Sequence, residues 1–112
     1  MPTRFPVDWL RGTLSLCVLG VLAEGVSYGY AITQRLEEAG LGLVKGGTLY
    51  PLLARLEAEG LVAVTWQTGD AGPNRKYVEL TNAGRAELVT QQAFWRQFTA
   101  SVNGLIHLTE VR

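Results

Sequence analysis

The chain has 112 residues, enough for one hydrophobic core but marginal as a monomer. Ten Lys and Arg balance ten Asp and Glu, which excludes a polycationic coat protein, an acidic disordered tail and a polybasic membrane anchor. At 47% hydrophobic and 9% aromatic the composition is that of a folded globule, so nucleic-acid binding requires its charges to be segregated in space.

Leu10, Leu14, Cys17, Val18, Val21 and Leu22 fall on one face at helical spacing, predicting a first helix from Asp8 or Trp9 to Glu24, stopped by Gly25. Its apolar run, Leu14 to Ala23, is about half the length that spans a bilayer. It is no secretory leader either, because Asp8 sits in the would-be positive region and Glu24 follows without a small-x-small cleavage pattern. The single cysteine, Cys17, reads as a buried thiol in a reducing compartment, and the chain as cytoplasmic, soluble and without a membrane partner.

Ser27 is the expected N-cap of a second helix that faces inward through Ala31, Ile32 and Leu36 and ends at Gly40. A third helix carries Leu49, Leu52, Leu53 and Leu56 at i, i+3, i+4, i+7 and closes at Gly60. Pro51 has no N–H to donate and belongs in a first turn, so the expected cap is Thr48, ahead of Gly47. The faces opposite the leucines carry Thr48, Tyr50, Pro51, Ala54 and Arg55.

From Leu61 the period becomes two. Leu61–Trp66 and Lys76–Leu80 read as strands, and the turn-rich segment from Thr68 to Asn74 joins them as a hairpin with a flexible tip. Thr81 caps a last helix from Asn82 to about Leu108, roughly 40 Å long and too long to be buried on so small a domain. The fold class is therefore mainly α with a small β-hairpin. Three helices followed by a hairpin is the order of a winged helix-turn-helix, here over 8–81, and a long C-terminal helix over 82–109 follows it.

Catalysis finds no support. His107 is the only histidine and reads as a surface or interface residue, with no cysteine or carboxylate at ligand spacing, so no metal or cofactor is implied. There is no Ser/His/Asp grouping and no phosphate-cradling Gly-x-x-x-x-Gly-Lys, while Glu37-Glu38 and Glu57–Glu59 read as solvated helix ends. Cations do segregate: Lys45 and Arg55 lie in an acid-free stretch around the third helix, and Arg75 and Lys76 in another at the wing base. Those are the two places where a winged helix meets DNA, although four cations alone also fit an ordinary solvated surface. Arg75, after Gly72-Pro73-Asn74, would reach a phosphate or the minor groove.

The last helix displays Leu88, Trp95, Phe98, Val102 and Leu105, with Phe94 and Ile106 beside them. Large rings on a projecting helix require cover. A second copy of the chain supplies it by helix pairing, or the rings fold back on the first helix, where Trp9 joins them.

The run Tyr28-Gly29-Tyr30-Ala31-Ile32, the block from Gly47-Thr48-Leu49-Tyr50-Pro51 through Leu61, and Arg75-Lys76-Tyr77 leading to Leu80-Thr81 and Gly84 resemble the PadR family of transcriptional regulators. The likeness extends from about Leu10 to Leu88, and the central block is highly specific. It implies a homodimeric winged-helix repressor that binds double-stranded operator DNA and releases it on meeting an effector. The single C-terminal helix resembles the smaller subfamily.

By that resemblance the third helix enters the major groove with Thr48, Tyr50 and Pro51 facing the bases, and Arg75 and Lys76 match the wing-base pair. Lys45, Arg55 and Asn74 complete the expected DNA-binding set. Two departures are Gly46, where the family often has serine or proline, and Val78, where a second aromatic often follows. Some small members stack flat aromatic ligands on a C-terminal-helix tryptophan, and Trp95 sits at a matching place. Trp9, Phe94, Trp95 and Phe98 then either frame a pocket for a planar apolar effector or simply pack a dimer interface. The alternative from another class is a winged-helix protein-interaction module that never touches DNA.

Overall fold

The computed structural model describes residues 5–68 and 74–107, apart from the side chains of Thr68 and Asn74. In chain order it contains α1 (Val7–Ala23), β1 (Ser27–Tyr28), α2 (Gly29–Glu38), α3 (Gly46–Ala58), β2 (Val62–Thr68), β3 (Asn74–Leu80) and α4 (Asn82–Ile106). One apolar cluster joins Val18, Leu19 and Leu22 of α1 to Ile32 and Leu36 of α2 and to Leu49, Leu52, Leu53 and Leu56 of α3. Val62, Val78 and Leu80 of the hairpin close it. Each fully buried leucine contributes about 1.5–3 kcal/mol. The expected inward face of α1 omits Leu19, which is buried, because a helix apolar on nearly all sides does not show from its sequence which stripe faces the core.

Ser27 is not a helix cap. It lies in β1, which pairs antiparallel with β3 through Ser27 opposite Val78 and Tyr28 opposite Tyr77. The hairpin is thus part of a three-stranded sheet of order β1-β3-β2. Its two long strands run farther than expected, to Thr68 and from Asn74, with Val64 opposite Val78 and Trp66 opposite Lys76. The rest of the segment expected to form the flexible tip lies outside the described residues.

Thr48 is not the cap of α3 either. The backbone turns at Lys45, whose carbonyl accepts from the amides of Thr48 and Leu49, each at 2.9 Å. The helix therefore begins at Gly46, and Pro51 falls in its second turn. There the missing N–H leaves the Gly47 carbonyl without its usual donor four residues on. Gly47 and Pro51 are both exposed, so water can satisfy that carbonyl, while burial of the leucine stripe on the opposite side holds the register.

The end of α3 is joined to the start of α4. Gly60, at φ +77°, reverses the chain, and the amides of Gly60 and Leu61 return to the carbonyls of Glu57 and Leu56. Thr81 then donates its hydroxyl to the Gly60 carbonyl (2.7 Å), and the same oxygen accepts from the Gly84 amide (3.0 Å), the cap expected from the sequence. Gly84 is buried with the Leu61 carbonyl filling the space a β-carbon would need. Across the molecule, Arg35 grips Glu24 with two short bonds of 2.9 Å, tying the end of α1 to α2.

From there α4 runs 25 residues, about 37 Å, and packs against α1. The radius of gyration is 16.2 Å, against about 13 Å for a compact chain of this length, and the extents are 62 × 32 × 20 Å. The projecting helix accounts for the difference. Its expected end near Leu108 falls outside the described residues.

Candidate nucleic-acid interface

The N-terminal half of α3 and the base of the hairpin lie on one side of the molecule. Leu49 is fully buried and anchors α3, which turns the neighbouring Thr48, Tyr50 and Pro51 outward. Lys45 at the cap is exposed too. These four expected residues thus share the first turns of one helix, whose free amide ends carry the positive end of its dipole.

Tyr50 also lines a cleft of about 500 Å³ together with Tyr28, Gly29, Tyr30, Trp66, Arg75 and Lys76. This cleft brings the third helix and the wing cations together. Among the described residues that line it there is no acid. Arg75 sits over the Tyr28 ring at 4.3 Å, and Tyr28 meets Tyr77 edge-on with centroids 5.6 Å apart. Arg75 and Tyr77 lie two residues apart on one face of β3, so both reach the aromatic of the short edge strand.

Arg55 is placed differently from the rest. It lies in the last turn of α3 and pairs with Glu59 at 4.0 Å, outside the cleft lining, so its charge is partly engaged within its own helix. The Asn74 side chain lies outside the described residues. Tyr28, Tyr30 and Trp66 were not expected at the site. Tyr28 and Tyr30 carry the family likeness without a role attached, and Trp66 reaches the cleft only through its register opposite Lys76, which no spacing in the sequence reveals.

A second concavity of about 750 Å³ runs between α1 and α4, lined by Trp9, Phe94, Trp95, Phe98 and Val102 with Asp8, Gln91 and Asn103 at its edges. Trp95 and Phe98 stand 6.0 Å apart, centroid to centroid. Trp9 (65%), Phe94 (63%) and Phe98 (59%) stay largely exposed, and Trp95 (41%) somewhat less so. The rings therefore do not fold away against α1, although Trp9 does join them across the groove. The wall hydroxyls of Thr13 and Thr99 bond to the carbonyls of Trp9 and Trp95 in their own helices, which leaves the groove mainly apolar. Leu88 lies elsewhere, packed against the core of its own domain, and Leu105 is exposed beyond the groove lining.

Residues 18–90 match the model of the PadR-like family of transcriptional regulators. The chain belongs to that family. It is 34% identical over 97 residues to "Transcriptional regulator Rv3488" of Mycobacterium tuberculosis, covering 87% of this chain and 89% of that one. A PadR family transcriptional regulator from Eggerthella lenta superposes with a TM-score of 0.82 at 37% identity, over 89% of this chain and 87% of its own. A PadR-like regulator from Bacillus cereus gives 0.78 at 32%, over 88% and 96%. The winged-helix reading and the long C-terminal helix agree with these PadR structures. The family consists of transcriptional regulators, not enzymes. Among the described residues no group of side chains is arranged to hold a metal ion, and no helix is long and apolar enough to cross a membrane.

Proposed function

We propose that this PadR-family regulator is a homodimeric, sequence-specific DNA-binding repressor that leaves its operator when a planar apolar molecule binds near Trp95. The observation that carries the DNA half is the cleft shared by Tyr50 of α3 and Arg75 and Lys76 of β3. One surface then offers an aromatic ring for base edges and two cations for phosphates. Lys45, Thr48 and Pro51 extend it along the helix, and residues 8–81 form the reading unit. The exposed rings between α1 and α4 support the other half: a second copy pairing through Trp95, Phe98, Val102 and Leu105 covers them and leaves a flat aromatic slot at its centre. Leu88 is not needed for that pairing, since it serves its own core.

Binding to duplexes from the region upstream of its own gene, followed by fluorescence anisotropy across a salt series, tests the reading. Two copies that each neutralise about three phosphates give a log–log salt slope near −5. A slope near zero overturns it. Transcription in vitro from the same fragment separates repression from activation.

A further inference from the structure

Gly29 opens α2 and is buried, yet no helix position there calls for glycine: its φ is not positive, and alanine would fit the backbone. The reason for a bare α-carbon lies across the cleft. A β-carbon on Gly29 would collide with the Tyr50 hydroxyl and would stand 2.7 Å from Cζ and 3.0 Å from Cε1. On the opposite edge of the same ring, a β-carbon on Gly46 would come within 3.3 Å of Cε2 and 3.4 Å of Cδ2. The Tyr50 phenol thus lies in a slot cut by two missing side chains, one on its own helix and one on α2.

The flanks of the slot are themselves held. Tyr28 is fixed by Tyr77 edge-on and by Arg75 over its face, and the Tyr30 hydroxyl accepts from Gln34 at 3.3 Å. One side of the ring is then left open to the cleft that also holds Arg75 and Lys76. An aromatic held in one orientation before binding loses little side-chain entropy when it meets its target.

We infer that Gly29 is a positioning residue for sequence recognition: it seats Tyr50 so that the ring is already aimed at a base edge in the major groove. The inference rests on the DNA-binding reading above. Its chemistry favours an apolar base contact such as the thymine methyl, since the ring offers more carbon surface than donors there.

The atoms an alanine methyl would strike are the far end of a flexible side chain, so Gly29→Ala should swing the ring out without disturbing the core. The test compares wild type, Gly29→Ala, Tyr50→Ala and the double variant for binding to the operator and to single-base variants of it, with thermal unfolding alongside. Gly29→Ala is expected to unfold at the wild-type temperature or slightly above, because alanine is the better helix former. Its discrimination between operator and variant duplexes should fall about tenfold, the scale of one lost base contact. In the Tyr50→Ala background the same change should do nothing further. Full discrimination by Gly29→Ala, or an undiminished effect without Tyr50, overturns the inference and leaves the DNA reading standing. A wild-type chain that binds every duplex equally overturns the DNA reading and the inference together.

Discussion

Arg75 lies over the face of Tyr28, its guanidinium carbon 4.3 Å from the ring centroid, and so fastens the base of the wing to the strand that leads into α2. The contact orients the cation without neutralising it, because a ring face attracts positive charge through its quadrupole and carries none of its own. Arg75 remains exposed and able to meet a phosphate.

Replacing Arg75 by alanine should therefore weaken binding on all duplexes alike and make the salt slope shallower by about one for each protomer. Lys45→Ala should behave in the same way. Arg55→Ala should change the slope less, since Glu59 already engages that cation. Anisotropy titrations at several salt concentrations decide all three, and an Arg75→Ala slope equal to wild type would mean that this guanidinium serves only Tyr28.

Sedimentation at micromolar concentration is expected to show a dimer. Trp95→Ala together with Phe98→Ala should shift it to monomer and, with it, lower operator affinity. A wild-type monomer under those conditions refutes the pairing of two copies through Trp95 and Phe98.

Flat aromatic compounds should quench tryptophan fluorescence, with most of the response lost in Trp95→Ala and part of it in Trp9→Ala, which stands on the facing helix. A response that survives intact in both variants places the ligand near Trp66 instead, the third tryptophan of the chain.

Gly84→Ala should destabilise the fold by about 1–3 kcal/mol, an overpacking cost. Here the obstacle is the Leu61 carbonyl, a backbone atom that cannot swing aside as a tyrosine ring can. Thermal unfolding should show a drop of about 4–8 °C for each kcal/mol lost. An unchanged midpoint would show that the start of α4 can lift off the Leu61 carbonyl at no cost.

Burial pushes the Cys17 thiol above its ordinary pKa, against a smaller lowering by its hydrogen bond with Thr13. Below the unfolded thiol's pKa, about 8.5, both states keep the proton and stability does not change with pH on this account. As pH rises through that value toward the higher folded one, the unfolded chain ionises first and folding loses free energy. Cys17→Ala should therefore flatten part of the alkaline fall in stability, read from denaturant midpoints between pH 8 and pH 10. A fall of identical steepness in the variant assigns it to other groups.

Much of this fold is legible in the residues because local chemistry and burial agree there. The leucine stripe of α3, the Thr81 cap and the period-two strands each follow from one kind of signal read over a short window. The corrections arise where pairing or packing beyond the local residue chemistry decides. Ser27 has the chemistry of a cap but pairs with β3, and Pro51 has the chemistry of a first turn but sits in the second because Lys45 starts the helix earlier. The same holds at the site. Arg75, Lys76 and Tyr50 were legible as types in a family-like block, whereas Trp66 and the role of Gly29 depend on register and on a ring arriving from another helix.

Thr81 anchors one end of α4 to the turn that follows α3, while Phe94, Trp95 and Phe98 lie about half-way along the helix. A helix of about 37 Å held in this way is a lever arm. A tilt of about 10° between paired levers moves the far end by roughly 6 Å, nearly two base-pair steps of about 3.4 Å. In the proposed dimer, a guest that wedges the rings apart by the thickness of one aromatic plane would take the two reading heads out of phase with the double helix. On that proposal, the length of α4 would convert a local change of packing into a change of spacing on DNA.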